Sequence, residues 1–182
     1  MVNLGTSAMR RRPGSVYQLI FRVTLLLEDV FPAVTREVEV GISTKLGGLH
    51  RVIQAVMGWQ NLNDHRFILK GDIYERVPAN SMLDPGRERN WPLDSAFYPA
   101  KFFHYQYGLD GNGWLLRIIE RDVVGASRSV RYPRCIAGEG ASPPDEICGP
   151  NAYRHYLQNE LRQPKHNRFS IVSANRRINK AK

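Results

Sequence analysis

Residues 131 to 150 read RYPRCIAGEGASPPDEICGP and hold both cysteines of the chain, four of its 11 prolines and three of its 17 acids. Proline lacks a backbone donor, and glycine has the most conformational freedom to lose. This density therefore rules out a helix or a central strand across the segment. A long irregular stretch with its own composition is either a functional loop or a disordered one. It leads straight into a helical pattern from Asn151 to Leu161, which predicts an ordered loop.

The rest of the chain supplies strands for such a loop to lie on. From Val16 to Leu27, Tyr17, Leu19, Phe21, Val23, Leu25 and Leu27 alternate with the intervening residues. Period two over this length is a strand with one face buried. After a turn at Phe31-Pro32, Val38, Val40 and Ile42 alternate with Glu37 and Glu39, predicting an antiparallel hairpin. Leu49, Val52, Ile53 and Val56 then fall at i, i+3, i+4 and i+7, the spacing of one helix face. Ser43 or Thr44 is the expected cap and Gly58 the expected stop. His50 and Gln54 lie on the flank of this helix.

Phe67 to Leu69 and Asp72 to Tyr74 flank Lys70-Gly71 as a short hairpin. Residues 76 to 99 read as a surface excursion with one helical turn at Leu93 to Phe97. Phe102 to Tyr107 and Trp114 to Val124 are two more strands, joined by a Gly- and Asn-rich hairpin loop. Strands dominate without regular strand–helix alternation. The expected class is α+β: a mainly antiparallel sheet, one or two packed helices and a long Cys/Pro/Gly loop.

With 182 residues and 42% hydrophobic content, one well-buried domain is expected. No apolar run approaches a membrane span and the first residues lack a signal's apolar core, so a cytoplasmic protein is the expectation. The net charge of +9 suggests nucleic acid until it is located along the chain. Arg10, Arg11 and Arg12 precede the first strand, and Arg162, Lys165, Arg168, Arg176, Arg177, Lys180 and Lys182 follow Leu161, with no acid in either segment. These ten of the 26 basic residues leave the body near neutrality. The reading is therefore a flexible basic tail over 1–15, a domain over 16–161 and a second flexible basic tail over 162–182. Such tails hold phosphate polymers loosely and without sequence preference, or merely aid solubility.

Four segments in order carry a family resemblance: YQLIFRV at Tyr17, LHRVIQAVMGW at Leu49, FFHYQYG at Phe102, and VRYPRCIAGEGASPPDEICGP at Val130. Together they resemble the plasmid pRiA4b open-reading-frame-three-like family over roughly residues 16 to 161. The resemblance implies a compact α+β domain found on plasmids, in bacterial chromosomes and as a passenger of mobile elements. Some members carry a resolvase label, and no reaction is established for them. Against the family's usual pattern, Gln106 stands at an Asp position, Leu116 and Asn63 at His positions, and Ser142 at a Cys position, with His65 close by.

Candidate sites are few. Cys135 and Cys148 are too far apart in sequence for a zinc-knuckle pair, and a site with His65 or His104 would need tertiary convergence. Two free, partly buried thiols, or a disulfide formed only on oxidation, are the simpler reading, so no metal and no cofactor are expected. Glu139, Asp145 and Glu146 lack the spacing of a calcium loop. Phe102, Phe103, Tyr105, Tyr107 and Trp114 offer a stacking platform for bases or, more simply, a core. No nucleophile elbow, phosphate-binding loop or zinc-protease helix is present, and no residue is assigned a catalytic role.

The reading is a non-catalytic interaction domain whose partner is an unidentified protein. Its binding surface draws on Tyr105, Tyr107, Asp110, Trp114, Arg131, Tyr132, Arg134, Cys135 and Cys148. Weak nucleic-acid contact is assigned to Arg10, Arg11, Arg12, Arg176, Arg177, Lys180 and Lys182. The alternatives are a DNA-associated accessory of a transposon or plasmid, and an enzyme or metal protein with a dispersed site. Oligomeric state is not legible.

Overall fold

A computed structural model describes residues 18–75, 87–160 and 168–181. The N-terminal segment with Arg10, Arg11 and Arg12, and also Lys182, lie outside the described residues.

Seven strands form one sheet: β1 (Leu19–Leu27), β2 (Val34–Gly41), β3 (His65–Leu69), β4 (Asp72–Glu75), β5 (Phe102–Tyr107), β6 (Trp114–Gly125) and β7 (Arg134–Glu139). Their order is β4-β3-β5-β6-β1-β2-β7, and every pairing is antiparallel. The alternation read from the sequence is the pleat of this sheet. Phe21, Val23, Leu25 and Leu27 of β1 sit beside Val34, Val38 and Val40 of β2 in the core, joined by Phe67, Phe103, Tyr105, Tyr107, Trp114, Leu116 and Ile118. Each such side chain, fully buried, contributes roughly 1.5–3 kcal/mol of transfer free energy.

The opposite face is a polar ladder. The Glu39 carboxylate accepts from Arg22 Nε at 2.9 Å and from Arg134 Nε at 2.7 Å. Lys101 reaches Glu120 at 2.7 Å and Arg117 reaches Glu28 at 2.6 Å. These cross-strand pairs match charges across the face they occupy.

Helix α1 (Leu46–Met57) packs Leu46, Leu49, Val52, Ile53 and Val56 into the core, as its spacing predicts. Its start differs from the expected Ser/Thr cap. Lys45 is the cap residue, with no side-chain bond, and the Leu46 N–H is satisfied by the Trp91 carbonyl at 3.0 Å. A backbone bridge between Lys45 and Pro92 brings that carbonyl into place. Gly58 ends the helix in the left-handed conformation at φ 78°. Two short helices, α2 (Arg87–Asn90) and α3 (Leu93–Phe97), follow β4, and α4 (Gly149–Glu160) follows β7.

Two expectations need correction. Residues 134–139, read as irregular, form β7 at one edge of the sheet. The prolines flank the strand rather than interrupt it, and an edge strand needs hydrogen bonds on one side only. Gly138 is required by close approach, since a Cβ there would come within 2.7 Å of the Phe169 ring.

The second correction concerns the C-terminal basic segment. Residues 171–180 form helix α5 (Ile171–Lys180), capped by Ser170, whose Oγ accepts from the Ser173 N–H. Ala174 and Ile178 are buried, and the helix lies against α1 and β7. Asn175 donates to the Cys135 carbonyl and accepts from the Cys135 N–H, both at 2.9 Å. Charge density pointed to a tail, but two apolar anchors and one amide dock the segment.

Candidate functional site

Helix α1 places His50 and Gln54 four residues apart, hence on one face, and that face turns toward the sheet. Inward-pointing Tyr105 of β5 meets both. Gln54 Nε2 donates to the Tyr105 hydroxyl at 3.0 Å, and His50 Nδ1 lies 2.9 Å from the same oxygen. Burial, and then the neighbouring His65, push the His50 imidazole down to about 4, so it is neutral at physiological pH.

His65, inward on β3, stacks on His50 with ring centroids 3.6 Å apart and planes 7° from parallel. Helix α2 delivers Glu88 to the same place. Its Oε1 stands 3.2 Å from His65 Nε2, within ion-pair distance, yet the pair is not aligned as a hydrogen bond. His65 Nε2 and Glu88 Oε2 are the buried side-chain polar atoms left without a hydrogen-bond partner among the described residues. Gly47 makes room for the carboxylate, because a Cβ at that position would sit 3.2 Å from Glu88 Oε1. This explains a poor helix former in the first turn of α1.

Arg36 occupies the other end of α1. It falls in the inward register of β2, between Val34 and Val38, and is 1% exposed. Its guanidinium donates to the carbonyls of Val56, Thr35, Glu139 and Gly140 and to Ser142 Oγ, at 2.6 to 3.2 Å, and stacks 4.0 Å from the Phe169 centroid. Burial, with Arg177 adding repulsion, pushes this group down to about 10. Arg177 Nε donates to the Ala55 carbonyl at 2.6 Å. Helix α1 has no basic residue in its own last turn, so β2 and α5 supply the cations its negative end favours.

The Cys/Pro loop is pinned to the aromatic strands. Asp145 accepts from the Tyr107 hydroxyl at 2.8 Å and from the Gln60 N–H at 2.5 Å. Trp59 and Trp114 indoles donate to the Pro143 and Ile147 carbonyls, each at 3.0 Å. Burial and then the Asp145 bond push the Tyr107 phenol up to about 12, so it remains a donor.

These contacts place the residues singled out from the sequence. Tyr105, Tyr107 and Trp114 are core residues, with no ring face presented for stacking a base. The correction follows from the pleat, since all three point inward. Asp110 is exposed at the hairpin tip. Cys135 is buried and Cys148 half-buried, and both are free thiols. The structure does bring Arg131, Arg134 and Cys135 together with Ile171, Asn175 and Asn179 of α5, around a groove of about 590 Å³. Tyr132 holds its ring 5.8 Å from the Arg134 guanidinium.

Also on α5, Arg176 and Lys180 are exposed, while Arg177 is spent on α1. Among the described residues, Arg131, Arg176 and Lys180 take part in no ion pair.

Sequence reasoning missed Arg36 and Glu88. A charged residue in the inward register of a Val-rich strand was a readable signal for Arg36. Glu88 sits on a single helical turn in a polar stretch and carried none.

The sequence profile described as plasmid pRiA4b ORF-3-like protein matches residues 19–174, which includes the first turn of α5. The uncharacterized protein y4hQ of Sinorhizobium fredii is 33% identical over 155 residues, covering 83% of this chain and 77% of that one. The crystal structure of MM3350 from Methanosarcina mazei Go1, a protein of unknown function, shares the fold at a TM-score of 0.69 and 24% identity. That alignment covers 80% of this chain and 83% of the other.

Proposed function

The chain belongs to the plasmid pRiA4b ORF-3-like family, and from that premise we propose a non-catalytic interaction domain that holds nucleic acid by its phosphate backbone along the α5–β7 face. One observation carries this reading: Arg131 lines the groove between β7 and α5, and α5, which forms the other wall, carries exposed Arg176 and Lys180, none of the three in an ion pair among the described residues. No acid occurs from Arg168 to Ala181. Backbone contacts of this kind position a protein but read no bases, so the affinity is weak and indifferent to sequence. The site is thus built on a docked helix rather than on loose tails. An accessory role beside other plasmid proteins is compatible with it.

The test is duplex DNA titrated by fluorescence anisotropy. With about three phosphates neutralised, affinity is expected to fall by one to two orders of magnitude between about 50 and about 200 mM salt. The Arg131→Glu/Arg176→Glu/Lys180→Glu variant should lose binding while keeping its thermal midpoint. Unchanged binding in that variant, or tight selection of one sequence, would contradict the proposal.

A further inference from the structure

We propose that His65 Nε2 and the Glu88 carboxylate form a binding site for a divalent transition-metal ion, held beneath the N-terminal end of α1. The two groups come from separate elements, β3 and α2, and meet 3.2 Å apart without forming a hydrogen bond. Two donors each about 2.1 Å from one ion lie about 3.0 Å apart at a right angle and about 3.4 Å apart at the tetrahedral angle. The observed spacing falls between these limits. Their side chains are 6% and 9% exposed, so water does little to satisfy the orphaned atoms. A buried, incompletely satisfied carboxylate is costly, and an ion held by His65 Nε2 and by both Glu88 oxygens would satisfy the orphaned Nε2 and Oε2 at once.

The surroundings define which groups bind and which only position. His50 does not ligate. Its ring is parallel to His65, so the in-plane lone pairs of the two rings do not converge, and its Nδ1 is engaged by Tyr105. It fixes the plane of His65 by stacking and is a positioning residue. No group of three His, Cys, Asp or Glu side chains converges among the described residues. The site therefore offers one imidazole nitrogen and up to two carboxylate oxygens. A mixed nitrogen and oxygen set suits zinc, cobalt or nickel, whereas magnesium and calcium favour all-oxygen shells.

The experiment uses tag-free full-length protein stripped with chelator, titrated calorimetrically with Zn²⁺ and Co²⁺ and, separately, Mg²⁺. One Zn²⁺ per chain is expected, with a Co²⁺ absorption band in the visible and no Mg²⁺ binding. His65→Gln and Glu88→Gln should each abolish it, and His155→Ala, an exposed histidine on α4, should leave it intact. Should either variant fail to fold, histidine-selective NMR of the wild type decides. Zinc must then shift the His65 imidazole and leave that of His155 in place. Absence of Zn²⁺ and Co²⁺ binding, or binding that survives both substitutions, overturns the proposal.

Discussion

Two charged sites lie beneath the same sheet at opposite ends of α1, and they differ in how their polar atoms are satisfied. Arg36 is a buried cation surrounded by five acceptors and an aromatic face. His65 and Glu88 are also buried, and each keeps an orphaned atom. Burial alone therefore does not distinguish scaffold from site. A charge whose hydrogen bonds are all made holds elements together. A charge left unsatisfied at the same depth costs stability, and that cost has a purpose only if something else completes the shell.

The contrast can be broken most forcefully at Arg36. Arg36→Met strips the donor from four buried carbonyls and Ser142, and should cost on the order of 4 kcal/mol. Urea unfolding measures it, and a loss under about 1 kcal/mol would mean that water replaces the guanidinium. Tyr107→Phe keeps the stack on Trp59 but removes the donor to Asp145. It should cost roughly 2 kcal/mol in the same assay, because bonds to charged acceptors are the stronger ones.

A smaller effect is expected at Glu39. Burial pushes its carboxyl up, but Arg134 and Arg22 outweigh burial and hold it below the usual range. A depressed carboxyl stabilises the fold above its unfolded value. That contribution is lost as pH falls through the folded one. Glu39→Gln should therefore flatten the acid limb of the stability–pH curve and leave its dependence above neutrality unaltered. The smallest change is expected at the unsatisfied site. Metal-free Glu88→Gln should unfold within about 0.5 kcal/mol of the parent, or be more stable, because one of the two carboxylate oxygens it replaces is buried without a hydrogen-bond partner. A loss comparable to that of Arg36→Met would erase the distinction between the two sites.

The sheet was legible because period two survives almost untouched in β1, β2, β5 and β6. Helix α1 was legible from Leu49, Val52, Ile53 and Val56. What the sequence hid was long-range. The cap of α1 comes from the carbonyl of Trp91, far along the chain, where only Ser43 and Thr44 could be judged locally. Helix α5 has two apolar anchors in a basic stretch, too few for its period to outweigh its charge. His50 and His65 were visible as residues, but their stacking depends on the β3–β5 register, and Glu88 on a helix of one turn. Sites assembled from three elements leave no spacing to read.

The pairing of Asn175 with Cys135 has a consequence for how the molecule behaves in company. That amide stands where another strand could otherwise add, so β7 offers no ready template there while α5 stays docked. The docking rests on few anchors, and solubility at high concentration thus becomes a property of one short helix. A version shortened before Ile171 would keep the sheet yet acquire an adhesive margin. Its copies would gather edge to edge in proportion to their concentration.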